Sequence, residues 1–182
     1  MQLPSSTGST SSIFYTGNSR SSPLTLPPSL RWTGDHLELL DQRRLPQEVC
    51  FLQLRHWQHV AEAIATMAVR GAPAIGVAAA WGVVLAAQAG EDLDVAVTVL
   101  KSSRPTAVNL GWALERMRTS AAAKDPVDPQ ALAALAAALE ADDRARTQTL
   151  VDHGVGLLKP GSRVLHHCHT GAIATAGVGT AL

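Results

Sequence analysis

The spacing of apolar residues separates an opening segment of short period from a long helical stretch. Between Leu30 and Leu54 the pattern is short and mixed, and Leu30–Trp32 and His36–Leu40 alternate in the manner of small strands joined by turns. From His56 to Val69 the apolar residues instead recur at steps of three and four, which places them on one face of a helix. Gly71 is predicted to end that helix.

Four more helices are predicted in the middle of the chain from its prolines, glycines and capping residues. Asp128 is a good N-cap, and Pro129 after it suits the first helical position, where a backbone N–H is not needed. We therefore expect a mainly helical middle. The predicted helices run from Pro73 to about Ala87, Glu91 to about Lys101, Pro105 to about Ala123, and Pro129 to about Leu158.

The segment from Gly71 to Gly90 carries no charged residue and matches the length of either a buried helix or a membrane span. A span needs about 20 predominantly apolar residues. Most of this segment is Ala and Gly, Pro73 lies near its start, and its large apolar side chains are few, so it would insert weakly. We interpret it as a helix buried inside a soluble protein.

The chain changes character again at the predicted turn Lys159-Pro160-Gly161. The next residues, Arg163–His167, are predicted to form a buried strand that ends at Cys168 and leads through a glycine-rich loop into a helix of small residues. Such a unit is typical of the opening of a Rossmann-like parallel domain, but one strand cannot make a sheet. We therefore expect a C-terminally truncated chain of an α/β protein whose second domain is missing.

The predicted organisation has three parts. Residues 1–29 are rich in Ser, Thr and Pro, carry Arg20 as their only charge, and are interpreted as a disordered extension without signal-peptide features. Residues 30–158 are predicted to form an N-terminal domain with a small β-containing opening followed mainly by helices. Residues 159–182 are the predicted start of the truncated Rossmann-like domain.

Charge and cysteine content narrow the range of functions. Lysine plus arginine and aspartate plus glutamate each total 15 in the 182 residues, so no net basic field favours nucleic acid or a membrane as a partner. The two cysteines, Cys50 and Cys168, lie far apart without CxxC spacing. This argues against a disulfide scaffold or structural zinc and fits a reducing cytoplasm.

Two arginines precede predicted helix starts, Arg70 before Gly71-Ala72-Pro73 and Arg104 before Pro105-Thr106. A cation is unfavourable at the positive end of a helix dipole unless an anion lies between them. Phosphate accepts hydrogen bonds from free backbone N–H groups and from a guanidinium, so each segment is a candidate phosphate-binding element. For either motif alone the alternative is structural, with Arg70 a solvated charge at the end of the preceding helix and Arg104 a linker residue.

Cys168 is a candidate acid, base or nucleophile because it is predicted at the carboxyl end of a strand, where ligands gather in open α/β sheets. The N-terminus of the following helix and a nearby imidazole would favour the thiolate. The alternative is a buried, inert cysteine. No metal site is expected, because alternation along the strand leaves at most His166 and Cys168 on one face, and zinc needs three or four ligands.

Read together, these motifs resemble the methylthioribose-1-phosphate isomerases, which belong with the regulatory subunits of the translation initiation factor 2B exchange complex and with ribose-1,5-bisphosphate isomerase. The resemblance extends from about Leu30 to the last residue. It rests on Leu39-Leu40-Asp41-Gln42-Arg43 with Leu45-Pro46, Met67-Ala68-Val69-Arg70-Gly71-Ala72-Pro73-Ala74-Ile75-Gly76, Arg104-Pro105-Thr106-Ala107-Val108-Asn109-Leu110, and the glycine-rich stretch from Gly171 to Leu182.

The resemblance also implies site residues. It maps the family's catalytic cysteine to Cys168, although His169 stands where the family has Asn, a departure that bears on catalysis. The family's catalytic aspartate, a substrate-binding glutamine and an Asn-Lys pair lie further along than Leu182. The residues implied to bind substrate are Arg70, Gly71, Ala72 and Arg104.

The implied activity is that of an aldose-ketose isomerase, which converts 5-methylthioribose 1-phosphate to 5-methylthioribulose 1-phosphate in methionine salvage. The resemblance implies a homodimer in the full-length form. The reaction requires no cofactor, and we expect this chain alone to be inactive. Two alternatives stay open: a non-catalytic regulatory subunit of an initiation factor 2B-like complex, and a ribose-1,5-bisphosphate isomerase. The group bound at C5 separates the two enzymes, and no residue of this sequence can be assigned to that pocket.

Overall fold

A computed structural model describes residues 14–17, 27–124 and 126–180 of the chain. Within them, four strands form one antiparallel sheet in the order β1-β4-β3-β2. The alternation predicted for the opening segment is confirmed at β2 and β3. The strands are β1 (Phe14–Gly17), β2 (Leu30–Trp32), β3 (Leu37–Leu40) and β4 (Cys50–Leu54).

The first strand was not predicted, because it lies in the segment interpreted as a disordered extension. Phe14–Gly17 pairs with β4 in the register Phe14 to Gln53, so these four residues belong to the sheet. Ser29, at the end of the same predicted extension, is also ordered, because it is buried and donates to the Thr175 carbonyl. Residues 1–13 and 18–26 lie outside the described residues.

Five α-helices follow in the described part of the chain, and they confirm the mainly helical middle. They are α1 (Trp57–Ala65), α2 (Ala72–Gln88), α3 (Leu93–Ser103), α4 (Val108–Ala122) and α5 (Pro129–Val155). No helix among the described residues is long and apolar enough to cross a membrane.

Helix α2 is the centre of the domain, as expected for the uncharged segment. Every residue from Ala74 to Ala86 is buried, and α2 contacts each of the other four helices. The small Ala and Gly side chains allow these neighbours to approach closely. The sheet joins the same core through Trp32, whose ring stacks on that of Trp81 at a centroid distance of 4.5 Å.

Helix α1 ends earlier than predicted. Thr66 is its C-cap, and Met67 adopts a left-handed φ of 60°. Ala68 and Val69, which were predicted to lie in the helix, are buried residues of the loop that follows it. Because these loop residues are apolar and buried, the periodic pattern continued past the true helix end. Arg70 therefore lies on a loop between α1 and α2.

The prediction of a strand at Arg163–His167 is wrong for this structure. These residues are exposed and irregular, and the side chain of Leu165 is 99% exposed. A strand needs a neighbour to satisfy its backbone, and no described strand pairs with this segment. The predicted helix of small residues is also wrong in extent, because only a 3-10 helix at Ala172–Ala174 forms, within a loop closed by the bond from Thr180 N–H to the Thr170 carbonyl (2.7 Å).

Candidate functional site

Arg70 lies on the loop immediately before Gly71, the N-cap of α2, and it is half-buried. Its Nε is buried and has no hydrogen-bond partner among the described residues. A buried donor left unsatisfied costs about 1–3 kcal/mol, so the position favours a bound acceptor. Since α1 ends at Ala65, the alternative of a solvated charge on the last turn of that helix is excluded.

Arg70 and Arg104 differ from every other lysine and arginine that the structure describes. They alone are half-buried, whereas the others are exposed. Neither side chain forms a hydrogen bond or ion pair with a described residue. Eight exposed cations have acidic partners: Arg31, Arg43, Arg44, Arg55, Arg118, Lys124, Arg144 and Arg146. An anion-binding site needs cations that are partly shielded from water and not already paired with a carboxylate, and Arg70 and Arg104 meet both conditions.

The two helices that follow these arginines begin without an internal cap. Gly71 and Ala107, the N-caps of α2 and α4, provide no side-chain acceptor, and neither first turn contains an acidic residue. By contrast, Asp92 and Asp128 cap α3 and α5, and each accepts two backbone N–H groups. Helix α1 also lacks such a cap, so the absence alone does not define a site. Combined with Arg70, it leaves the positive end of α2 open to an anion.

The start of α4 differs from the prediction. The helix begins at Val108 and not at Pro105, so Arg104 is the C-cap of α3, in the connection between the two helices. Its carbonyl accepts the N–H of Ala107 at 3.0 Å. This position in a linker matches the structural alternative. Arg104 is nevertheless half-buried and its side chain has no partner among the described residues, which is compatible with anion binding.

Two glycines let the first turns of α2 contact the other two candidate segments. Gly71 has a φ of 93°, and a Cβ added there would lie 2.5 Å from the Cα of Ala174. A Cβ added at Gly76 would lie 2.9 Å from the carbonyl oxygen of Asn109. Helix α2 thus contacts the loop after Cys168 at Gly71, next to Arg70, and contacts the start of α4 at Gly76.

Cys168 is exposed and adopts a φ of 70° in the irregular segment before this loop. The expected strand before it and the expected long helix after it are both absent from the described residues. His166 donates from Nδ1 to the Cys168 carbonyl oxygen at 3.3 Å. Among the described residues, no group of three or more His, Cys, Asp or Glu side chains is arranged to hold a metal ion.

Cys168 lines a cavity of about 420 Å³. Neither candidate arginine is part of its wall, and the side chains of Arg70, Arg104 and Cys168 form no hydrogen bond with one another. The structure therefore places the loop after Cys168 against Gly71, next to Arg70, but does not connect the side chains of Arg70, Arg104 and Cys168. The wall consists of Gln42, Val164, His166, Cys168, His169, Thr170, Gly171, Ile173 and Ala174.

Three polar side chains attach the loop after Cys168 to the rest of the molecule, and no role was predicted for any of them from the sequence. Ser29 donates to the Thr175 carbonyl at 2.7 Å, and Gln42 Nε2 donates to the Ile173 carbonyl at 2.8 Å. Asp143 accepts the Ala176 N–H at 2.7 Å, and burial raises the pKa of its carboxyl despite that bond. The available signal was a polar residue, Gln42, two positions after the end of β3 and within one of the resemblance motifs.

Comparison with known proteins identifies the family. The model of the initiation factor 2 subunit family, IF-2B, matches residues 68–181, which include both α2 and the loop after Cys168. The chain belongs to this family.

Individual relatives are more specific. The methylthioribose-1-phosphate isomerase of Parasynechococcus marenigrum (strain WH8102) is 86% identical over 159 residues, which make up 87% of this chain and 47% of the relative. The enzyme of the same name from Synechococcus sp. (strain CC9902) is 70% identical over 87% of this chain and 48% of its own length. This chain spans about half the length of the curated relatives it matches.

Solved structures give the same fold. The 5-methylthioribose 1-phosphate isomerase from Pyrococcus horikoshii OT3 is 30% identical, with a TM-score of 0.74 over 85% of this chain and 47% of that one. The delta subunit of translation initiation factor eIF-2B from A. fulgidus is 34% identical, with a TM-score of 0.64 over 82% of this chain and 47% of that one. The mixed α/β fold expected from the sequence is thereby confirmed.

Proposed function

We propose that this chain carries the phosphate-binding part of a methylthioribose-1-phosphate isomerase. The substrate is 5-methylthioribose 1-phosphate, and the product is the corresponding 1-phosphorylated ketose. The name of the 86% identical relative supports this choice. The observation that carries the site is the pair Arg70 and Arg104, the half-buried and unpaired cations of the described chain.

In the proposed mechanism, Arg70 and Arg104 bind the phosphate, together with the free N–H groups at the start of α2. This contact fixes the sugar relative to the reacting groups. Phosphate on the anomeric oxygen blocks easy ring opening, so the ring oxygen must be protonated before hydrogen moves from C2 to C1. Both steps suit an acid and a base in a water-excluding pocket.

Cys168 supplies one of these two groups in the proposal. It is exposed and lines a cavity whose wall includes Ala174, the residue that contacts Gly71. The second group is the aspartate implied by the family resemblance, which lies further along than Leu182. We also propose that residues 159–182 belong to a second, Rossmann-like domain, and that the enzyme is a cytoplasmic homodimer. No cofactor enters the scheme.

A chimaera tests the activity directly. Residues 30–182 of this chain would replace the matching part of the Parasynechococcus relative, and turnover of methylthioribose 1-phosphate would be measured by phosphorus NMR. We expect the chimaera to turn over, and Cys168→Ala to lower kcat by roughly 100-fold or more, the range for removal of a positioned acid or base. Cys50→Ala is the matched control, because Cys50 is buried in β4 away from the cavity. An inactive chimaera, or equal rates for the two variants, would contradict the proposal.

The 182-residue chain alone is expected to give negligible turnover. It spans about half of the relatives' length and contains no residue assigned as the second acid-base group. Binding of the sugar phosphate, measured by calorimetry, is expected to persist because both arginines are present. Measurable turnover by the chain alone would show that the acid-base pair lies within these residues.

A second candidate is a non-catalytic regulatory subunit, and the likeness to the A. fulgidus eIF-2B delta subunit favours it. Such a protein works through protein contacts. Titration of the chain with sugar phosphate and, separately, with an initiation factor 2 subunit distinguishes the two candidates. Binding of the factor without binding of the sugar phosphate would favour the regulatory subunit.

A further inference from the structure

Gln42 connects the two segments that carry the candidate site. It lies two residues after the end of β3 and is buried, with 9% of its surface exposed. Its backbone N–H donates to the carbonyl of Ala68 at 2.9 Å, and its side-chain Nε2 donates to the carbonyl of Ile173 at 2.8 Å. One residue thus bonds to the loop that ends in Arg70 and to the loop that follows Cys168.

The Gln42 side chain bonds to the backbone of the loop after Cys168 and not to a side chain of that loop. A carbonyl can only accept, so the Gln42 amide must present its nitrogen to Ile173. Gln42 also lines the same cavity as Cys168. A change at Gln42 therefore shifts the wall that faces the thiol, while Arg70 and Arg104 keep their own positions on other loops.

We propose that Gln42 is a positioning residue, which sets the distance between the phosphate-binding arginines and Cys168 by linking Ala68 to Ile173. The proposal rests on the proposed function, because it concerns the same site. Its signature is a loss in kcat with substrate affinity retained, since phosphate binding does not involve the Gln42 side chain.

Ser29 provides a matched control. Its Oγ donates to the carbonyl of Thr175 at 2.7 Å, in the same loop, and Ser29 is also buried, with 3% exposed. Its backbone carbonyl accepts the N–H of Leu40, so Ser29 ties the loop to the sheet and not to the Arg70 segment. Loss of either side-chain bond removes one buried bond to a loop carbonyl, but of these two residues only Gln42 also bonds to the segment that carries Arg70.

The experiment compares Gln42→Met and Ser29→Ala in the chimaera described above, with methylthioribose 1-phosphate as substrate. Methionine keeps the length of the side chain and removes the donor. We expect Gln42→Met to lower kcat by roughly 10- to 100-fold, the range for a displacement of about 1 Å in a catalytic group, with KM within about twofold of the parent. Ser29→Ala is expected to keep most of the parental kcat, and thermal unfolding checks that the two variants lose similar stability.

A second readout uses the 182-residue chain itself. Iodoacetamide alkylation of Cys168 is measured with and without saturating methylthioribose 1-phosphate. Bound sugar phosphate is expected to slow alkylation in the wild type and in Ser29→Ala, and to lose that effect in Gln42→Met while calorimetry still detects binding.

The outcomes separate the two proposals. An inactive parental chimaera defeats the proposed function and this inference with it. An active parent in which Gln42→Met keeps its kcat, or loses no more than Ser29→Ala, overturns the role of Gln42 and leaves the proposed function standing. Should Gln42→Met fail to fold, Gln42→Leu is a second variant that lacks any donor to Ile173, and full kcat in that variant overturns the inference equally.

Discussion

Substitution of Gly71 by alanine tests how closely α2 must approach the loop after Cys168. Gly71 has a φ of 93°, in a region that residues with a Cβ rarely adopt, and it is buried. The added Cβ would lie 2.5 Å from both the Cα and the Cβ of Ala174. No real Cβ contact is that short, and the opposing atoms belong largely to the backbone, so the 3-10 helix must move away from α2.

Two separate effects set the size of the loss. Backbone strain at a positive φ contributes about 1–3 kcal/mol. Overpacking against a fixed neighbour contributes about 1–3 kcal/mol more. Gly34 isolates the first effect, because its φ of 104° is similar and a Cβ added there meets nothing within 4 Å. Gly71→Ala should therefore be less stable than Gly34→Ala by about 2 kcal/mol.

Thermal unfolding followed by circular dichroism measures the difference. For a chain of this size, about 2 kcal/mol corresponds to a Tm difference of roughly 4–8 °C. We expect Gly34→Ala to lie between the wild type and Gly71→Ala. Equal Tm values for the two variants would refute the close approach of α2 to Ala174, because strain alone would then explain both.

Three further predictions address the caps, the charges and the thiols. Asp92→Ala removes the acceptor of the Asp94 and Val95 N–H groups and should destabilise the chain by about 1 kcal/mol in urea unfolding, whereas Asp92→Ser should recover most of the loss; equal losses would contradict the capping role. Burial raises the pKa of Asp41, but hydrogen bonds from Arg43 outweigh burial and hold that pKa below the usual 3.8. The ionised Asp41 therefore contributes stability above pH 3.8, and this stability is lost as the pH falls through its lower folded pKa. The stability advantage of wild type over Asp41→Asn should shrink below pH 3.8. An advantage that stays constant with pH would contradict the pairing with Arg43. Cys50 is 4% exposed and burial raises the pKa of its thiol, so peptide mass spectrometry should find iodoacetamide on Cys168 long before Cys50, and similar rates would show that β4 opens readily.

The helices could be predicted from the sequence where local chemistry alone determines them. Asp128 and Pro129 mark the start of α5. The Asp128 carboxylate accepts free N–H groups of the first turn, and the first helical position does not need the N–H that Pro129 lacks. The uncharged run in α2 likewise predicted burial, since no polar face remained to meet water. Both features depend on residues within one or two turns of each other.

Features that depend on distant partners could not be predicted. The end of α1 was placed too late because Ala68 and Val69 are apolar whether a helix or a loop buries them. The strand at Arg163–His167 was predicted from its composition, but a strand exists only with a neighbour to bond it. The role proposed for Gln42 depends on its bonds to Ala68 and Ile173, the second of which is 131 residues away, and no local pattern predicts such a bond.

The site itself was predicted in part. The arginines were identified from their positions before helices, although Arg104 is further from α4 than expected. Their partial burial and their lack of partners among the described residues are properties of the fold, and the sequence alone does not predict them. The roles of Arg70, Gly71, Ala72, Arg104 and Cys168 in binding and catalysis stay predictions.

The most direct test of the phosphate site is a double-mutant cycle in the 182-residue chain, with methylthioribose 1-phosphate binding measured by calorimetry for Arg70→Gln, Arg104→Gln and the double variant. Lys159→Gln, at an exposed and unpaired position, serves as the control and should bind as the wild type does. Each single arginine variant should weaken binding roughly 10- to 100-fold, the range for loss of a charge-assisted hydrogen bond. If both guanidinium groups hold one phosphate, the two losses are coupled and the double variant loses markedly more or less than their sum. Strictly additive losses, or undiminished binding in either single variant, would contradict a shared site.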